Sequence, residues 1–171
     1  DYEKLKKAAL LDIFDFLEFQ PEVPYIRLPE GGDAPEALRS CMEIVAEIKA
    51  QLPAVSGQPI FIAVPAGTGC TAAGVIAAAA DWARVLVFPA APYGVDQESI
   101  QQKIQAAGLN VQDNFQVFDT QLKFAQMPPE LKLFVDQFYE NHQIQLDPIY
   151  TSKMMFQLEK LLQAGHFPEG S

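Results

Sequence analysis

Between residues 65 and 74 the chain reads Pro-Ala-Gly-Thr-Gly-Cys-Thr-Ala-Ala-Gly, directly after the apolar run Ile60-Phe61-Ile62-Ala63-Val64. An unbroken run of that kind predicts a strand buried on both faces, and the small-residue stretch from about Thr71 to Ala80 predicts a helix. Where a strand feeds a helix through a glycine-rich turn, backbone N–H groups and the positive end of the helix converge on one spot, which suits an anion. Gly67 and Gly69 allow positive φ and close approach, and Thr68 and Thr71 offer hydroxyl donors to phosphate oxygens. Such a site needs no lysine. The plainer alternative is a turn and helix-packing segment, since glycine-rich βα turns also occur without a ligand. Cys70 also has two readings: a thiol made reactive by the helix N-terminus, or a small residue that the loop tolerates.

Three ligand classes compete for the loop, and each makes its own demand. A nucleoside triphosphate loop requires G-x-x-x-x-G-K-[ST], and that lysine is missing. The dinucleotide pattern G-x-G-x-x-A is nominally met from Gly67 to Ala72, but it expects an acid about 20 residues further on. Here the next strand ends Phe88-Pro89-Ala90-Ala91, with no acid before Asp96. A monophosphate held by backbone and hydroxyl groups makes no further demand, and pyridoxal phosphate is the usual cofactor of that description.

The elements that must position this loop follow from periodicity and punctuation. Residues 2–19 predict a helix stopped by Pro21 and Pro24, and Tyr25-Ile26-Arg27-Leu28 a short strand. Asp33 can cap a helix with Pro35 in its first turn, running to about Leu52 with Leu38, Cys41, Met42, Val45 and Ile48 on one face. The run at 60–64 is expected at the centre of a parallel sheet, joined through the 71–80 helix to a strand at Val85-Leu86-Val87-Phe88. A helix over 97–106, a weak strand at 115–118 and helices near 129–142 and 153–164 complete the pattern. Ile60, Ile62, Val64, Val75, Ile76, Val85 and Val87 form the predicted core. Residues 1–171 read as a single α/β unit, with 1–20 a helix belonging to a neighbouring domain or its edge.

Composition narrows the partners. The chain has 171 residues, 49% of them hydrophobic, enough for one sizeable core. A net charge of -10 opposes phosphate backbones and anionic lipid, so neither nucleic acid nor membrane is expected. No apolar run approaches the roughly 20 residues needed to cross a bilayer, and the first residues lack the order of a signal peptide. A cytoplasmic location is the expectation. Cys41, Cys70, His142 and His166 are too scattered to predict a disulfide framework or a metal site.

Several stretches together resemble one family, the fold-type-II pyridoxal-phosphate enzymes, in the branch of 1-aminocyclopropane-1-carboxylate (ACC) deaminase and D-cysteine desulfhydrase. Residues 25–32, Y-I-R-L-P-E-G-G, resemble its strand and turn before a helix, and Gly67-Thr68-Gly69-Cys70-Thr71 its cofactor-phosphate loop. The stretch L-D-P-I-Y-T-S-K-M at 146–154, followed by G-H-F-P-E-G-S at 165–171, is similar to its C-terminal signature. The resemblance implies a three-layer α/β sandwich around a mainly parallel sheet, Rossmann-like and of the tryptophan-synthase-β type, incomplete here. It also implies pyridoxal phosphate as cofactor, a small amino acid as substrate and a homodimer. Thr151 falls where the family places its partner to the pyridine nitrogen. A hydroxyl there does not hold a proton on the ring, which weakens the electron sink and favours β-elimination over cyclopropane opening. Tyr150 matches a catalytic tyrosine able to donate or move a proton, or else is a core tyrosine.

Three departures accompany the resemblance. The family's Schiff-base lysine, in a G-N-K stretch followed by G-G-x-x-S-N, has no counterpart in these residues. Lys153 inherits no such role, and its place at a helix start predicts a surface lysine. Phe124 takes the place of a second active-site tyrosine, and the sequence stops before an expected last strand. The expectation is therefore the C-terminal part of a deaminating or β-eliminating enzyme, with a non-catalytic module that keeps the scaffold as the alternative.

Overall fold

The computed structural model describes residues 29–52 and 59–170. The helix expected over 2–19 and the strand expected at 25–28 lie outside them. A 3-10 turn at Glu30–Gly32 leads into α1 (Pro35–Cys41) and α2 (Glu43–Gln51). Next come β1 (Ile60–Ala66), α3 (Cys70–Ala79), β2 (Ala83–Pro89), α4 (Gln97–Ala106) and β3 (Phe115–Val117). The last two helices are α5 (Pro129–His142) and α6 (Thr151–Gln163). The α/β character and the βαβ unit around the loop are as the sequence predicts, with boundaries shifted by one or two residues.

The three strands form a parallel sheet in the order β1-β2-β3, with Ile60 opposite Ala83 and Val85 opposite Phe115. β2, not β1, is the central strand among the described residues, which corrects the expectation. Apolarity cannot report strand order: β1 is partly exposed along most of its length, whereas β2 is buried at every position but Arg84. Ile60 and Ile62 are accordingly only partly buried at the edge of the core, while Val64, Val75, Ile76, Val85 and Val87 lie within it. Successive strand residues face opposite sides, so the burial of Leu86 and Phe88 alongside Val85 and Val87 shows a sheet covered on both faces. α3 covers one face, backed by α1, α2 and α4, while α6 packs on β1 and β2. Phe167 meets Phe61 edge-on at 5.0 Å, and Phe118 stacks on Phe88 at 4.9 Å.

The helix expected from Asp33 to Leu52 is broken at Met42. Its N–H bonds the Arg39 carbonyl at 3.1 Å rather than that of Leu38. The Leu38 carbonyl is where α3 crosses: a Cβ on Gly74 would lie 2.4 Å from that oxygen and 2.7 Å from Cys41 Cβ. Gly74 is thus what lets two backbones approach. Asp33 does not cap α1, whose N-cap is Ala34 with no side-chain bond; its carboxylate is drawn instead to the Lys103 ammonium.

Candidate anion-binding site

The predicted loop leaves β1 at Ala66 and enters α3 at Cys70. Gly69 is the N-cap at φ 86, in the left-handed region that disfavours any side chain. No side chain caps α3, and its first turn holds no acid, so the helix end keeps N–H groups for an external acceptor. Gly67 is exposed, and Tyr150 lies over it: a Cβ there would be 3.2 Å from the phenol oxygen. Thr68 is held from behind by Gly31, where a Cβ would meet Thr68 Cγ2 at 2.7 Å. Thr71 is exposed, and its hydroxyl oxygen accepts from the Cys41 thiol at 3.8 Å, leaving its own proton free to donate.

Cys70 is not a poised nucleophile. It is 4% exposed, and its thiol donates to the carbonyls of Gly32 and Ala34. Burial pushes the thiol pKa up and outweighs the lowering by the backbone amide of Ala34. Its burial and raised pKa favour the reading of Cys70 as a small residue that the loop tolerates.

Tyr150 and Thr151 are presented by the start of α6, and the arrangement depends on Asp147, a residue absent from the predicted site. One Asp147 oxygen accepts the N–H groups of Ile149 and Tyr150 at 2.9 and 2.7 Å. The other accepts the Thr151 N–H at 2.8 Å and the Thr151 hydroxyl at 2.6 Å. Desolvation opposes ionisation of this carboxyl, but the bonds from the Thr151 hydroxyl and the Tyr150, Thr151 and Ile149 N–H groups together hold its pKa down to about 2. The Thr151 proton is therefore committed to a carboxylate, and its oxygen also accepts the Asp147 N–H at 2.9 Å. Asp147 organises the turn before α6, whose N-cap is Tyr150 without a side-chain bond; an Asp-Pro pair before a helix marks such a turn in the sequence.

Lys153 overturns its surface reading. It is 2% exposed, with Nζ donating to the Ala90 and Lys123 carbonyls, each at 2.7 Å. Burial lowers its pKa, and no carboxylate lies on it among the described residues. Ala90 follows β2 and Lys123 precedes Phe124, so this amine ties three segments together beside Tyr150. Phe124, 51% exposed, meets the Tyr150 ring edge-on at 6.3 Å. The structure thus brings Gly67 and Tyr150 together, while Thr151 is turned to Asp147. A separate cavity of about 550 Å³, lined by Pro89, Tyr93, Asp96, Phe118, Asp119 and Thr120 among others, opens at the carboxyl ends of β2 and β3. Among the described residues no cluster of His, Cys, Asp or Glu could hold a metal, and no helix is long and apolar enough to cross a membrane.

Comparison with known structures gives the chain a precedent. A crystal structure of an ACC deaminase homologue superposes with a TM-score of 0.73 at 23% identity, covering 98% of this chain. The fold is that of an ACC deaminase homologue. This chain spans 53% of that homologue's length. No protein-family model matches the sequence, and no curated protein matches it. The ACC-deaminase-like fold agrees with the expected three-layer α/β arrangement, of which the described residues supply three parallel strands and their covering helices.

Proposed function

We propose that this chain is the phosphate-holding part of a pyridoxal-phosphate enzyme of the ACC deaminase and D-cysteine desulfhydrase family, acting on small amino acids by deamination or β-elimination. The observation that carries the reading is an uncapped helix end behind Gly67–Gly69, overhung by the Tyr150 phenol, in a fold shared with an ACC deaminase homologue. The residues fit the group: the loop offers N–H and hydroxyl donors, no acid stands in the first turn of α3, and the glycines leave room for close approach. Pyridoxal phosphate, when bound, supplies an electron sink for charge developed beside an amino acid's nitrogen.

The chain's own residues divide the work. Gly67, Gly69, Cys70 and Thr71 contribute backbone donors to the phosphate, and the Thr68 and Thr71 hydroxyls add to them. Tyr150, 37% exposed and without a hydrogen-bonded phenol among the described residues, is placed to donate or move a proton. Thr151, whose proton rests on Asp147 in this structure, must turn that proton to an unprotonated ring nitrogen to partner it. A carbon–sulfur bond is the leaving group that suits a weak sink, so D-cysteine is the first substrate to test. A homodimer is part of this proposal, and sedimentation checks it.

The test uses the protein made from its whole natural gene. A visible absorbance band that borohydride bleaches, with the reduced cofactor attached to a lysine outside these 171 residues, is the expected result. A second reading rests on Phe124 standing where the resemblance places a second active-site tyrosine. In that reading the scaffold is a non-catalytic module that binds phosphate compounds, giving no band but a higher melting temperature with pyridoxal phosphate.

A further inference from the structure

A charge pair sits beside the first turn of α3, contributed by residues remote from the loop in sequence. Lys103 on α4 sets its ammonium on the Asp33 carboxylate, and the two side chains are 23% and 33% exposed. Three contacts locate the pair. Lys103 Cε is 3.7 Å from where a Cβ on Gly69 would stand. The Cys70 thiol donates to the carbonyls of Gly32 and Ala34, the residues on either side of Asp33. Gly31, two residues before Asp33, presses on Thr68. Lys103 therefore lies against Gly69, and Asp33 belongs to the backbone segment that packs on Thr68 and Cys70, beside a helix start with no cap and no acid of its own. Burial dominates the raised pKa of the Cys70 thiol, and Asp33 raises it further while Lys103 lowers it, as two charges close to that turn must.

We infer that Lys103 and Asp33 set the anion affinity of the Gly67–Thr71 loop. Lys103 adds positive charge beside the helix end, and Asp33 holds the ammonium there while cancelling part of its field. This inference rests on the reading of the loop as a phosphate holder and names its affinity-determining residues. Its consequence is a difference of sign. Removing either charge breaks the same ion pair, so a purely structural role would move both variants in the same direction. An electrostatic role moves anion affinity in opposite directions, because one variant deletes attraction and the other repulsion.

The experiment is calorimetric titration of inorganic phosphate into the intact protein at low ionic strength. Asp33→Asn is expected to bind about threefold or more tightly than the parent, and Lys103→Met about threefold or more weakly. The double variant should return near the parent, and the differences should shrink at roughly 0.5 M salt. Melting temperatures of both single variants fall together, which separates the pair's structural part from its effect on affinity. If the parent binds phosphate but the two variants shift in the same direction, or not at all, the inference is overturned. If no protein of the set binds phosphate, Asp33→Asn included, both the inference and the loop reading fall.

Discussion

The loop at Gly67–Thr71 and the segment at Tyr150–Lys153 meet over one glycine, yet different forces hold them. The loop is anchored by apolar packing: α3 is buried along most of its length, and at Gly74 it approaches α1 backbone to backbone. The Tyr150 segment borders a much smaller cluster, Leu131, Phe134 and Leu146 with partly buried neighbours, and its position is set by polar clamps from Asp147 and Lys153. A loop fixed by close packing beside a side chain placed by hydrogen bonds is an arrangement in which, under the proposed function, binding and proton handling can be altered separately.

The sharpest way to break that contrast is Gly74→Ala. Its methyl group would fall 2.4 Å from a backbone carbonyl, so α1 and α3 must separate, at a cost of about 3 kcal/mol. Urea unfolding should show this, together with weakened phosphate binding. A loss below about 1 kcal/mol would mean that the loop is not held by this contact.

Lys153→Met should cost less, about 2 kcal/mol, by stripping donors from the Ala90 and Lys123 carbonyls. The pH dependence has a definite sign. Because burial lowers the folded-state pKa below 10.5, the folded protein carries the cost of a buried charge at lower pH. The unfolded chain then binds more protons across that window, so stability rises with pH towards 10.5 in the parent but not in the variant. Chemical denaturation between neutral pH and that limit measures it. Phosphate affinity should remain within about twofold of the parent, since under this scheme Lys153 places Tyr150 rather than the loop.

The smallest effect is expected from Asp147→Ala, about 1.5 kcal/mol for the lost carboxylate bonds to the turn before α6, reduced by solvent screening of a partly exposed group. The depressed carboxyl pKa makes this contribution complete above the ordinary value of 3.8 and lost as pH falls towards about 2. Parent and variant should therefore converge in acid, which melting curves across that range will show.

Much of this was legible before any coordinates. The 60–64 run followed by glycines and small residues announces a strand feeding a helix, though not that the strand is only partly buried, and the 97–106 and 129–142 helices fall where periodicity puts them. Asp147 was within reach through the Asp-Pro turn that it opens. Lys153 was not, because a charged residue at a helix start is usually solvated, and only the fold brings two backbone carbonyls around its amine. The same limit hid the Asp33–Lys103 pair, whose members belong to different helices' surroundings and share no local pattern.

By itself the sequence determined which groups are available: a glycine- and threonine-rich turn between a strand and a helix, and an aspartate followed by a tyrosine and a threonine. Those are local properties, written in spacing and side-chain type. Tertiary structure alone decided that β2 is central among the described strands, that Cys70 is withdrawn, that Tyr150 lies over Gly67, and that Lys153 and Lys103 stand beside the site. Each depends on which distant segments exclude water from a group or supply its partner, and desolvation and long-range pairing leave no periodic trace in the chain.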